Sequence, residues 1–151
     1  MTGSKEHGQL EIGLAQVKPK KSDLLINVSK VNDTISNSCG GTDILVFSET
    51  NLSGYFLEGG VAEVSLSARE LIEVLGVPPA NCPDVVLGFY EKEEGRYFNS
   101  VAYLEPDATR FQLKHIHRKL FLPTYGVFDE SRFVQAGTEI DSFSTKHGRI
   151  G

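Results

Sequence analysis

The apolar and polar positions of the chain fall into segments of two periods. In residues 10–17, LEIGLAQV, Leu10, Ile12 and Leu14 alternate with Glu11 and Gly13, which predicts a strand. From Ser22 or Asp23, either of which suits an N-cap, Leu24, Leu25, Val28, Val31, Ile35 and Cys39 recur at helical spacing, and Gly40-Gly41 supplies a stop. Ile44-Leu45-Val46-Phe47 is apolar without alternation, as in a strand covered on both faces. A second helix is predicted over SARELIEVLG, opened by Ser67 and Glu70 in capping-box spacing and closed by Gly76. Strand, helix, strand, helix begins an α/β fold.

Further along, Val85 to Tyr90 and Tyr97 to Leu104 read as a hairpin around a charged turn, Glu91 to Gly95. Phe111 to His117 is one more strand. The stretch HRKLFLPTYGVFDESRF has neither period and reads as an ordered, functional loop. EIDSFSTKHGRIG gives two strand fragments about a Lys146-His147-Gly148 turn.

Composition narrows the function classes. At 151 residues and 40% hydrophobic content, the expectation is one core and one domain. A net charge of -5 argues against a nucleic-acid partner. No apolar segment approaches the roughly 20 residues that cross a bilayer, and MTGSKEHGQ lacks the apolar core of an export signal. The expectation is a cytoplasmic protein without membrane contact, its residues 1–9 disordered or tag-like. Cys39 and Cys82 are expected as free thiols, the first a small apolar filler on the helix stripe and the second, before Pro83, without the basic neighbour that would activate it. His7, His115, His117 and His147 lack metal-ligand spacing, so no metal is expected.

Candidate chemistry lies at two strand ends. Glu49 follows the Ile44 to Phe47 run, and Lys119 follows the Phe111 to His117 run; each alone is as readily a solvated surface charge. Together with their surroundings, Phe47-Ser48-Glu49 followed by Leu52-Ser53-Gly54-Tyr55, and His117-Arg118-Lys119-Leu120-Phe121-Leu122-Pro123 followed by PTYGVFDESRF, they resemble the nitrilase superfamily of carbon–nitrogen hydrolases. The similarity is greatest to the glutaminase domains of glutamine-dependent NAD synthetases and to aliphatic amidases, and it runs from Leu10 to Gly151. Ser48 stands where many members have proline.

The resemblance implies the family's α-β-β-α sandwich, of which this chain supplies the first half to two-thirds, residues 10–151. It implies hydrolysis of a carbon–nitrogen bond in a small carboxamide through a cysteine thioester, without metal or organic cofactor. Glu49 is then the general base and Lys119 the stabiliser of the oxyanion. Glu130, eleven residues after Lys119 (130 − 119 = 11), orients the lysine, although a charged turn beside Arg132 accounts for it equally well. Tyr55 and Tyr125 shape the amide pocket, or are simply packing residues. The family's nucleophilic cysteine follows a Gly-Arg-Ile-Gly-like segment, here Gly148 to Gly151, so it is expected beyond residue 151 and the 151-residue chain alone is expected to be inactive. The alternative is a catalytically inactive fragment or pseudoenzyme acting as an oligomerisation or interaction partner. A homo-oligomer is expected in either case, and ammonia transfer to a following synthetase domain is left open. Geometrically, the resemblance places Glu49 and Lys119 within about 3 to 5 Å, at the same ends of neighbouring strands.

Overall fold

The computed structural model describes residues 9–55, 60–126 and 129–151. Five strands form one sheet in sequence order: β1 (Ile12–Ala15), β2 (Ile44–Phe47), β3 (Asp84–Glu93), β4 (Arg96–Pro106) and β5 (Phe111–Arg118). β1, β2 and β3 pair in parallel, and β3, β4 and β5 pair antiparallel. Two antiparallel pairings restore direction, so β2, β3 and β5 run the same way, with β3 continuing past the ends of the other two. A short hairpin, β6 (Phe143–Thr145) and β7 (Gly148–Ile150), forms a separate two-stranded ribbon. The expectation for residues 1–9 lies, up to residue 8, outside the described residues, as do Val127 and Phe128 of the functional loop.

The helices follow their local signals. α1 (Leu24–Ser38) is capped by Asp23, whose side chain accepts the Ile26 amide at 3.1 Å. α3 (Ala68–Leu75) carries the full Ser67–Glu70 capping box and ends at Gly76, at φ 70°. Between them a single helical turn, α2 (Val61–Val64), is too short to have left a periodic signal. Both longer helices lie on one face of the sheet. Val31, Ile35, Leu71 and Leu75 meet Leu45, Phe47, Val85, Leu87, Phe89, Ala102, Leu104 and Phe111 in one buried core.

Three expectations need correction. Leu25 is off the buried stripe of α1, 83% exposed; its place is taken by Asn27, a polar residue that no apolar pattern marks. Asn27 is 1% exposed because its side chain accepts from the Lys20 amide and donates to the carbonyls of Lys20 and Leu52, stitching α1 to both adjoining loops. The β3–β4 hairpin is longer than predicted, since Glu91 to Glu93 are strand and the turn is only Glu94-Gly95. Both turn residues have positive φ (48° and 75°), the geometry that matches the twist of the strands. Finally, β1 is the predicted strand, but Ile12 and Leu14 are 56% and 75% exposed. They belong to the second sheet face, with Val46, Val86 and Val101, which only β6, β7 and Ile140 partly cover among the described residues.

Candidate active site

Glu49 and Lys119 emerge at the edge where β2 and β5 end. The expectation of neighbouring strands is corrected here: β3 and β4 lie between β2 and β5. The gap is closed by the chain itself. After Phe47 the backbone turns sideways across β3 at Gly88, where a β-carbon would stand 2.5 Å from the Ser48 carbonyl oxygen and 2.9 Å from the Glu49 α-carbon. Only glycine admits that crossing. The turn is tightened by Thr50, a buried residue at φ 48°, whose carbonyl accepts the amides of Ser53 and Gly54. Ser48, the departure from the family's proline, has a use here: its Oγ accepts from Asn51 Nδ2 at 3.0 Å.

Lys119 is fixed by its backbone on both sides. Its amide donates to the Asn99 carbonyl at 2.8 Å and its carbonyl accepts from Gly137 at 2.9 Å. Just before it, Arg118 makes a two-pronged bond to Glu91 at 2.8 and 2.6 Å and a third to Glu93, while its guanidinium lies 4.1 Å over the Phe98 ring. Glu91 is 2% exposed, so its apparent turn position in the sequence hides a buried anchor for the end of β5.

Across the two interposed strands, Lys119 Nζ donates to Glu49 Oε1 at 2.7 Å and to Glu130 Oε2 at 3.0 Å. Asn99 on β4 bridges the same two acids from its single amide nitrogen, at 2.7 Å to Glu49 Oε1 and 2.5 Å to Glu130 Oε1. The Tyr55 hydroxyl completes the cluster, donating to Glu130 Oε2 at 3.0 Å. Glu130 is therefore no solvated turn residue: it is 7% exposed, on a single 3-10 turn (Glu130–Arg132), while Arg132 pairs with Asp129 instead. Glu49 is the open member, its side chain 52% exposed. Its Oε1 takes both donors, and its Oε2 has no hydrogen bond among the described residues.

The electrostatics follow from this arrangement. Burial, the largest influence, disfavours the Lys119 ammonium, but its hydrogen bonds to Glu49 and Glu130, together with their charges, outweigh it and hold its pKa above the ordinary value. Burial first, then the bond to Glu130, pushes the Tyr55 hydroxyl far up, so it stays a donor. Two acids share one ammonium, and Asn99 supplies the donors that a second cation would otherwise have to provide.

Beside the cluster lies an open cavity of about 680 Å³, lined by Glu49, Asn99, Lys119 and largely apolar neighbours including Phe47, Val101, Leu120 and Phe121. Tyr125 is not among the lining residues and is 72% exposed. Asn99 is the site residue that the sequence reading missed. Its one visible signal is an amide within the strand run Tyr97 to Leu104, where β-propensity disfavours asparagine. Among the described residues no group of three His, Cys, Asp or Glu could hold a metal. His115 and His117 line the apolar cavity under β6, and the His115 ring stacks on Phe143 at 4.5 Å. Cys39 and Cys82 are free and half-buried, and among the described residues no helix is long and apolar enough to cross a membrane.

Known proteins are similar to this chain in sequence and in fold. An (R)-stereoselective amidase from a Pseudomonas species is 33% identical over 110 residues, which is 72% of this chain and 40% of the relative. A glutamine-dependent NAD(+) synthetase from Thermotoga maritima is 30% identical over 136 residues, 87% of this chain and 23% of the relative. The chain thus spans less than half the length of either. Among solved structures, a glutamine-dependent NAD+ synthetase from Acinetobacter baumannii superposes with a TM-score of 0.77 at 24% identity, covering 93% of this chain and 26% of that one. A carbon–nitrogen hydrolase superfamily protein from Xanthomonas campestris gives 0.73 at 20% identity, covering 93% and 51%. These likenesses establish a mixed α/β, nitrilase-like fold that matches part of the superfamily's structures. The carbon-nitrogen hydrolase family model matches residues 11–151, and the chain belongs to that family.

Proposed function

We propose that the protein hydrolyses the carbon–nitrogen bond of a small carboxamide through a cysteine thioester, with Glu49 as base, Lys119 as electrostatic stabiliser and Glu130 as the residue that orients the lysine. The observation that carries this reading is the 2.7 Å bond between Glu49 and Lys119, which are 70 residues apart (119 − 49 = 70) and meet only because the chain crosses β3 at Gly88. A solvated acid and a solvated lysine have no reason to share that bond, or to share Asn99 and Glu130.

On this reading Glu49 Oε2, which has no hydrogen bond among the described residues, takes the thiol proton as sulfur attacks the amide carbon. The electron pair moves to the carbonyl oxygen, where the Lys119 charge offsets it, a contribution worth several kcal/mol where water is excluded. Collapse of the intermediate breaks the carbon–nitrogen bond, and Glu49 returns the proton to the departing ammonia. Glu49 then takes a proton from water as it attacks the thioester, and the carboxylic acid and the thiol are released. Asn99 would act by positioning, holding Glu49 Oε1 so that Oε2 faces the reaction. Tyr55 would fix Glu130 from the far side. By resemblance the nucleophile follows Gly151. The amidase and glutaminase relatives make glutamine and short aliphatic amides the first substrates to test.

A second reading, an inactive partner protein, draws support from the exposed apolar positions Leu10, Ile12 and Leu14 on the second sheet face. The two readings separate in one assay on the product of the reading frame carried past Gly151. The enzyme reading expects ammonia release from a carboxamide, with a thioester that hydroxylamine traps, and no release from residues 1–151 alone. A frame that closes without a cysteine, or a continued chain that neither releases ammonia nor forms the thioester, would leave the partner reading standing.

A further inference from the structure

Away from the carboxylate cluster, the fold brings its two cysteines together. Cys39 caps the C-terminal end of α1, and Cys82 lies in the loop that enters β3, 43 residues later (82 − 39 = 43). The amide of Gly40 donates to the carbonyl of Asn81 at 3.0 Å, so the residues flanking the two cysteines are joined backbone to backbone. That bond sets Cys39 and Cys82 on facing sides of one backbone contact. The hydrogen bonds of their thiols are weak and local, from Cys39 Sγ to the Ile35 carbonyl at 3.3 Å and from Cys82 Sγ to the Pro83 carbonyl at 3.4 Å. Both residues are only half-buried, so a small oxidant can reach them.

We propose that Cys39 and Cys82 form an oxidisable pair that closes to an intramolecular disulfide, tying the end of α1 to the entry of β3. With oxidised glutathione as the oxidant, the Cys39 thiolate attacks one glutathione sulfur and a glutathione thiolate leaves. Cys82 then gives its proton to solvent and attacks the Cys39 sulfur, displacing the second glutathione. Two protein thiols are oxidised to one disulfide, and one glutathione disulfide is reduced to two thiols. The closed loop contains Glu49 and Tyr55, so the bond restrains the segment that carries both and removes conformational freedom from the unfolded chain. Burial, above all, pushes the Cys82 thiol up to about 12. Its attack is therefore the slow step, and the mixed disulfide on Cys39 resolves about tenfold faster for each unit of rising pH below that value.

The test uses the reduced full chain, incubated with oxidised glutathione, quenched in acid, digested, and mapped by mass spectrometry. The expected result is a transient glutathione adduct on Cys39 that decays as a Cys39–Cys82 linked peptide grows, faster at higher pH. Cys82→Ser should leave the adduct on Cys39 as a stable product. The proposal is overturned if wild-type Cys39 stays reduced while an unstructured cysteine peptide reacts, if its adduct persists without a linked peptide, or if Cys82 links chiefly to another molecule. If the serine variant does not fold, the wild-type time course decides alone.

Discussion

The sheet carries a carboxylate held by a lysine at each of two opposite edges, and the two are built differently. Where β2 and β5 end, Glu49 is half exposed, has one oxygen without a hydrogen bond among the described residues and faces an open cavity. At the edge where β3 begins, Asp84 is 0% exposed and bonded on both oxygens: the Tyr103 hydroxyl donates to one at 2.8 Å, Lys146 donates to the other, and His147 Nε2 lies 3.3 Å away. A carboxylate closed off from water and bonded on both oxygens holds pieces together, and Asp84 pins the β6–β7 turn to the sheet. An open one with its donors on a single oxygen can exchange a proton with a visitor. Each acid accepts two hydrogen bonds, and the difference between structure at one edge and, as proposed, chemistry at the other is burial and how those bonds are shared between the two oxygens.

The sharpest way to break that comparison is Glu49→Gln in the chain extended past Gly151. Removal of a general base lowers amide hydrolysis by about 10²- to 10⁴-fold, with little change in the denaturation midpoint because the side chain is half in water; wild-type turnover would reject Glu49 as the base. The counterpart is Lys146→Met, which leaves a buried carboxylate short of its cation and should destabilise the fold by about 3 kcal/mol. Urea unfolding reads it, and an unchanged midpoint would show that Asp84 does not depend on this cation.

Gly88→Ala tests what brings the open edge together. The added methyl meets three backbone atoms of the Ser48 to Thr50 segment, at 2.5, 2.7 and 2.9 Å, which no rotamer change relieves. A destabilisation of about 1–3 kcal/mol is expected, with Glu49 displaced from Lys119 in a crystal structure of the variant. An unshifted Glu49 would show that the crossing tolerates a side chain. The smallest effect belongs to a carboxylate in neither cluster. Glu70 is held down to about 2 from an ordinary 4.5, first by the bond from Lys92 and then by those from Ser67. A depressed folded value means stability that is present above pH 4.5 and lost as pH falls towards 2. Melting curves of Glu70→Gln should therefore lie below wild type near neutrality and converge with it in acid; curves that stay apart at low pH would assign the effect to something other than charge.

Much of this was legible in the sequence. Local signals, such as the Ser67–Glu70 box, the Gly76 stop and the unbroken run Ile44 to Phe47, sit within a few residues of what they specify and were read correctly. The approach of Glu49 to Lys119 was legible only through resemblance, and the route was misread, because a crossing over Gly88 depends on strand order, which no short stretch of sequence encodes. Asn27, Glu91 and Asn99 were passed over for one reason: a buried polar residue looks like a surface one until its partners, 7 to 50 residues away, are known. Leu25 shows the converse, an apolar residue at nearly helical spacing that the helix turns outward.

The crossing at Gly88 also bears on the order in which the molecule assembles. The β3–β4 hairpin needs only its two-residue turn and closes early, because its contacts are local. The bond from Glu49 to Lys119 needs β2 docked on β3, β5 docked on β4, and the Ser48 to Thr50 backbone laid over Gly88, all across 70 residues of chain. It therefore belongs among the last contacts to form and the first to open, and amide exchange at Ser53 and Gly54, in that turn, should outpace exchange in the middle of β3.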